Sequence, residues 1–203
     1  MFGLPSSTEI RKQIPKTVIY EKYATELSGS RKKNFENDVS RIFVVNEISG
    51  ASVNIREGEE GKSIFAVLIE LKNREYDVRN IILITKLFGQ RLILIMHYED
   101  KYQLGIYQTK MLFTEWITEE DKQLRLEGLD LDGVWKKLVS QISGIIPKDE
   151  HSLDEQIAIE GEKEKIKKEI YVLEAQAVRE TQSKKKYELH QKVVTLKHKL
   201  EEM

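Results

Sequence analysis

Apolar positions change their period several times along this chain, and each change marks an element. The densest run is Ser63-Ile64-Phe65-Ala66-Val67-Leu68-Ile69-Glu70-Leu71-Lys72, where no polar residue interrupts Ile64 to Ile69. A run so short and so rich in β-branched and aromatic residues predicts a strand buried on both faces. Glu70 and Lys72 mark its exit. Arg91-Leu92-Ile93-Leu94-Ile95-Met96 repeats the pattern. Between the two, Val78, Ile81, Ile82, Thr85 and Leu87-Phe88 follow helical spacing, with Asp77 as cap and Gly89 as stop. Strand, helix, strand predicts a parallel crossover.

The flanks are less regular. Pro5 and Pro15 bracket Ser7 to Gln13, which predicts a two-turn helix capped by Ser7 or Thr8. Ile14 must be extended before Pro15. Tyr20, Tyr23 and Leu27 are helically spaced up to the break Ser28-Gly29-Ser30. Phe35, Val39, Ile42 and Phe43 fall at i, i+4, i+7 and i+8, one apolar stripe of a helix over Arg31 to Phe43. Val53-Asn54-Ile55 alternates as a strand, pairing antiparallel with the central one through the turn Gly58-Glu59-Glu60-Gly61. Gln103 to Tyr107 and Met111 to Trp116 predict further strands after a hairpin turn at Glu99-Asp100-Lys101. Asp130 or Asp132 caps a helix carrying Val134, Trp135, Leu138, Val139 and Ile142, ended by Gly144 and Pro147. The expectation is an α+β or α/β domain over residues 1–147, a mixed β-sheet with packed helices.

Residues 148–203 read differently. From Ser152 onward there is no proline, one glycine (Gly161), and a balance of 11 basic against 11 acidic residues. Ile159, Ile166 and Leu173 repeat every seven residues, with Ile170 and Ala177 on the second seam. Leu189, Val193, Leu196, Leu200 and Met203 form a later heptad core. The two halves are out of register, and the slip falls in Glu180 to Lys186. The tail is therefore a coiled coil with a discontinuity or a helical hairpin. Its apolar stripe, with Ile166, Ile170, Leu173, Leu189, Val193, Leu196 and Leu200 as candidate partner-binding residues, is buried by its own second half, by a second copy or by another protein. Lys184-Lys185-Lys186 also reads as a short basic patch.

Composition narrows the function. Charged residues make up 33% of the chain, yet the formal net charge is −1, so no bulk attraction draws it to nucleic acid or anionic lipid. The absence of cysteine removes disulfides and thiolate zinc sites. The four histidines, His97, His151, His190 and His198, share no metal-ligand spacing. No run approaches the roughly 20 apolar residues of a membrane helix, and the N-terminus lacks a signal-peptide layout. These features predict a cytoplasmic protein without cofactor or metal.

Candidate chemistry is sparse. Glu70-Leu71-Lys72 has the E-x-K spacing with which metal-dependent nucleases place a metal-binding carboxylate and a lysine on one side of a sheet. A second carboxylate would have to come from Glu57, Glu59, Glu60 or Asp38, none in a characteristic context. A charged strand end explains Glu70 and Lys72 equally. Arg31, Lys32 and Lys33 stand at a helix start, where the dipole disfavours cations. They read either as a solvated end or as a contact for nucleic-acid phosphate or an acidic partner. No phosphate loop or nucleophile elbow is present.

Phe2-Gly3-Leu4-Pro5, Ile14-Pro15-Lys16, Phe35 with Asp38-Val39 and Arg41-Ile42, and Gly128-Leu129-Asp130-Leu131-Asp132 with Val134-Trp135 carry a family resemblance. Trp116, Gln141-Ile142 and the tail stretch Glu180 to Leu189 extend it. Together they resemble the prokaryotic domain-of-unknown-function family 4391 across nearly the whole chain. The resemblance supplies no catalytic residues. Its members are often encoded beside a DNA methyltransferase and a superfamily-two helicase, in restriction-like and phage-defence loci. It therefore implies a non-catalytic accessory or adaptor subunit whose tail docks a helicase or methyltransferase, or self-associates, with DNA contacted indirectly. A metal-dependent nuclease built on Glu70 and Lys72 is the alternative.

Overall fold

The computed structural model describes residues 1–146 and 151–203. The chain divides into two compact units, Met1–Gly144 and Ile145–Met203. The boundary expected at Pro147–Lys148, and the helix stop assigned to Pro147, lie outside the described residues.

The first unit is built on a six-stranded mixed sheet in which spatial order follows chain order. Its strands are β1 (Glu9–Gln13), β2 (Val39–Ser49), β3 (Ser63–Leu71), β4 (Arg91–Tyr98), β5 (Lys101–Tyr107) and β6 (Met111–Phe113). β3 and β4 are parallel and every other neighbouring pair is antiparallel. The helices are α1 (Lys16–Lys22), α2 (Ser30–Asp38), the four-residue α3 (Gly50–Val53), α4 (Val78–Phe88) and α5 (Leu131–Ser143). This is an α+β fold, as the hydrophobic pattern indicated.

The parallel pair is the region the sequence described best. Asp77 caps α4 by accepting the Arg79 N–H, and Gly89 ends it in the left-handed region, at φ +61°. Asp130 caps α5 through the Gly133 N–H. One face of the sheet, with Val67, Ile69, Leu71, Leu92, Leu94 and Met96, packs against Ile19 of α1, Phe35 of α2 and Ile81 and Ile84 of α4. The alternate residues Ile64, Ala66, Ile93, Ile95, Leu104 and Ile106 are also buried. They point to the opposite face, where α5 packs against β3, β5 and β6.

Three expectations are corrected. Ser7 to Gln13 is a short 3-10 turn at Ser6–Thr8 followed by strand β1, not a helix. Residues paired only with β2 and exposed throughout carry no hydrophobic period to read. The helix expected over Arg31 to Phe43 ends at Asp38, and Val39 opens the 11-residue strand β2. Val39, Ile42 and Val44 are β-branched, and pairing with β3 overrides a stripe that also fits helical spacing. Val53-Asn54-Ile55 is no strand: α3 ends at Val53 and Asn54 is left-handed. The antiparallel partner of β3 is β2.

The second unit holds α6 (Leu153–Arg179) and α7 (Ser183–Glu202). Ser152 and Glu155 form a capping box at the start of α6. The break at Glu180–Gln182 falls where the heptad register slips, and α7 packs back on α6 as a hairpin.

Candidate functional site

Glu70 and Lys72 serve separate partners. Arg41 lies opposite Glu70 on β2 and its Nε donates to Glu70 Oε2 at 2.6 Å. On the other side Glu70 neighbours His97 of β4, whose ring stacks on Tyr102 of β5 with centroids 4.5 Å apart. The result is a row across the sheet, Arg41–Glu70–His97–Tyr102. Lys72 stands outside it: its Nζ donates to the Glu36 carbonyl at 2.6 Å and its backbone N–H to the Asp38 carbonyl. With Asn73 Nδ2 on the Asn37 carbonyl and Lys16 Nζ on the Val39 carbonyl, it satisfies the open C-terminal end of α2. Burial, and then the charge of Lys72, push the Lys16 ammonium below its ordinary value. Among the described residues no group of three His, Asp or Glu could hold a metal ion.

Arg31 and Lys32 are engaged in packing. Arg31 Nη1 donates to Asp77 Oδ2 at 2.8 Å, and Lys32 Nζ lies 4.7 Å over the Tyr20 ring. Asp38, buried, accepts from the Asp77 N–H and from Asn80 Nδ2. These contacts tie α2 to the N-terminus of α4. The hydrogen-bonded Arg79 guanidinium holds the Asp77 carboxyl down to about 2. Lys33, next along the same helix, is exposed.

A cluster that the sequence did not disclose lies at the opposite end of the parallel strands. Arg91, the first residue of β4, donates to Asp132 Oδ1 at 2.5 Å and to Glu60 Oε2 at 2.7 Å, with its guanidinium 5.4 Å over the Trp135 ring. Asp132 Oδ2 also accepts the backbone N–H groups of Glu59 and Glu60. Burial alone would raise the Asp132 carboxyl. The Arg91 hydrogen bond, then those from Glu60 and Glu59, bring it below its ordinary value. A Cβ on Gly58 would stand 2.2 Å from Asp132 Oδ1, so only glycine admits the carboxylate. Beside this clamp is an open groove of about 800 Å³ lined by Lys62, Lys86, Gln90 and Tyr107. Its lining also includes Glu47 and Glu59, and the two signs balance. The only signals in sequence are Gly58 and Asp132, more than seventy positions apart.

The hairpin has the clearest surface chemistry. Ile166, Ile170 and Val193 are buried in one cluster, with Leu173, Leu196, Leu200 and Met203 packed against it. Leu189 is half-buried. The candidate seam is thus shared between α6 and α7. Glu162 pairs with Lys199 on one flank at 3.4 Å and Glu174 with Lys197 on the other at 2.8 Å. Outside the seam, Tyr171, Val172, Val178, Tyr187 and Val194 are 75%, 51%, 80%, 65% and 55% exposed.

No helix among the described residues is long and apolar enough to cross a membrane. No curated protein and no solved structure matches the chain. The family model for the domain of unknown function DUF4391 matches residues 2–200, nearly the full length. The chain therefore belongs to the DUF4391 family.

Proposed function

We propose that this chain is a non-catalytic accessory subunit that uses its helical hairpin to associate with protein, as an adaptor in a restriction-like, phage-defence system with a helicase and a DNA methyltransferase. The observation that carries the reading is the hairpin's division of labour. Its heptad seam is occupied within the chain, while five large apolar side chains stay in solvent. Exposed apolar surface of this kind marks interaction sites. The engagement of Glu70 with Arg41 and of Lys72 with the end of α2 gives both residues structural work. DNA is reached through the partners.

The test is co-purification of the full chain with a superfamily-two helicase and a DNA methyltransferase of a restriction-like system. Capture is expected from the full chain and lost when residues 151–203 are removed. Capture that survives the removal would refute the hairpin as the association element.

A further inference from the structure

The outer face of α4 holds a small pocket within the first unit. Arg79, Ile82, Leu83 and Lys86 line it at i, i+3, i+4 and i+7, and Arg31 of α2 and Glu26 close its side. Its volume is about 230 Å³. That is below the roughly 300–1,000 Å³ of a pocket for a cofactor or drug-sized ligand, and it suits a single side chain or a small anion. Ile82 is half-buried and Leu83 buried, so the floor is apolar. Val78, one turn before Ile82, adds an exposed apolar side chain on the same helix. The two arginines are already held in position. Asp77 accepts from Arg31 Nη1 and from Arg79 Nε and Nη2, and Asn34 Oδ1 accepts from Arg31 Nη1 as well. A guanidinium carries five N–H donors, so these contacts spend only part of what each arginine offers.

Charge selects the occupant. Arg31, Arg79 and Lys86 stand against Glu26 and Asp77, three cations against two carboxylates, so the pocket keeps a surplus of one positive charge. A single carboxylate neutralises that surplus. A phosphate group, at about −1.5 to −2 near neutral pH, overshoots it and is repelled by Glu26 and Asp77. A second copy would bring the same positive surplus to the contact, and like charges oppose each other. We infer that this pocket takes an acidic side chain, glutamate or aspartate, of a partner protein, with an apolar neighbour of that residue covering Val78 and Ile82. The arginines need little ordering to receive it, because Asp77 has already fixed them. The inference rests on the proposed role in protein association and gives that role a contact on the first unit.

The test uses the full chain and two capped leucine-rich peptides that differ at one central residue, glutamate in one and glutamine in the other. Binding is read from the side-chain N–H nuclear magnetic resonance signals of Arg31 and Arg79. The glutamate peptide is expected to move both signals and to bind at least about threefold more tightly than the glutamine peptide. Inorganic phosphate is expected to bind more weakly than the glutamate peptide. Lys86→Glu should remove the difference between the peptides and Glu26→Gln should enlarge it. Both residues are exposed, so the thermal midpoint should stay in place. Arginine signals that do not move, equal binding of the two peptides, or tighter binding of phosphate would overturn the inference. So would retention of duplex DNA that Lys86→Glu abolishes. In co-purification with the helicase and methyltransferase, Lys86→Glu is expected to weaken capture at least about threefold. Capture that needs the hairpin but ignores Lys86 would leave the association role standing and remove the pocket from it.

Discussion

Asp77 shows how one side chain joins several parts of the fold. It caps α4, binds Arg31 of α2 and is gripped by Arg79. Its carboxyl lies near 2 in the folded chain against 3.8 for the free group. A lowered carboxylate contributes stability that is complete above the unfolded value and is lost as pH falls through the folded one. The contribution should therefore disappear between about pH 4 and pH 2. It amounts to about 1 kcal/mol once solvent screening at the exposed Arg79 is allowed for. Urea midpoints across that range should show the loss in the native chain and a shallower one in Asp77→Asn, which keeps a capping oxygen but no charge. Parallel curves would mean that the charge does not stabilise the fold. Gly58 makes a sharper case. Gly58→Ala drives a methyl group into Asp132, so the loop must leave α5 or the carboxylate must leave Arg91. Unpairing this part-buried charge-assisted network costs about 1–2 kcal/mol. Denaturant melts should show that loss, with faster hydrogen exchange at the Glu59 and Glu60 amides. A neutral substitution would show that the clamp carries no stability.

At the scale of elements, what the sequence disclosed follows how local each signal is. α4 and α5 combine an aspartate cap, a helical apolar stripe and a left-handed glycine stop within one short stretch. β3 and β4 are buried, so their apolar runs are continuous. β1 is exposed at every residue, and its existence depends on the edge of β2, thirty positions away. The span Val39 to Phe43 satisfies both a helical and a strand reading, and only its pairing with β3 decides. The heptad slip placed the hairpin turn even though no glycine or proline stands there. The cross-helix pairs, acids on α6 with lysines on α7, become readable only once the seam is known. The candidate site divides the same way. Glu70 was visible as an exit residue, but Arg41, 29 positions earlier, is what binds it. Arg31 looked like a cation in search of an anion, and the anion is Asp77, 46 positions later.

At the scale of the whole molecule, the two units differ in what holds them. The α+β unit has buried side chains on both faces of its sheet. Among the described residues the cluster shared by α6 and α7 buries Ile166, Ile170 and Val193, and the start of α6 also buries Leu153, Gln156 and Ile157, a small core compared with that of the first unit. Most of a helix's stability in a protein comes from the packing of its apolar face. The hairpin should therefore melt separately and first. Ile170→Asp would place a carboxylate in that cluster with no partner, a change worth several kcal/mol, and more than so small a seam can absorb. Calorimetry of the native chain should show two transitions. In Ile170→Asp the lower one should vanish, with a matching loss of helical circular dichroism, while the upper one keeps its midpoint. A single transition that moves as a whole on substitution would mean that the two units unfold as one. The hairpin would then be part of the core's cooperative structure, and its separate role in association would need a different physical basis.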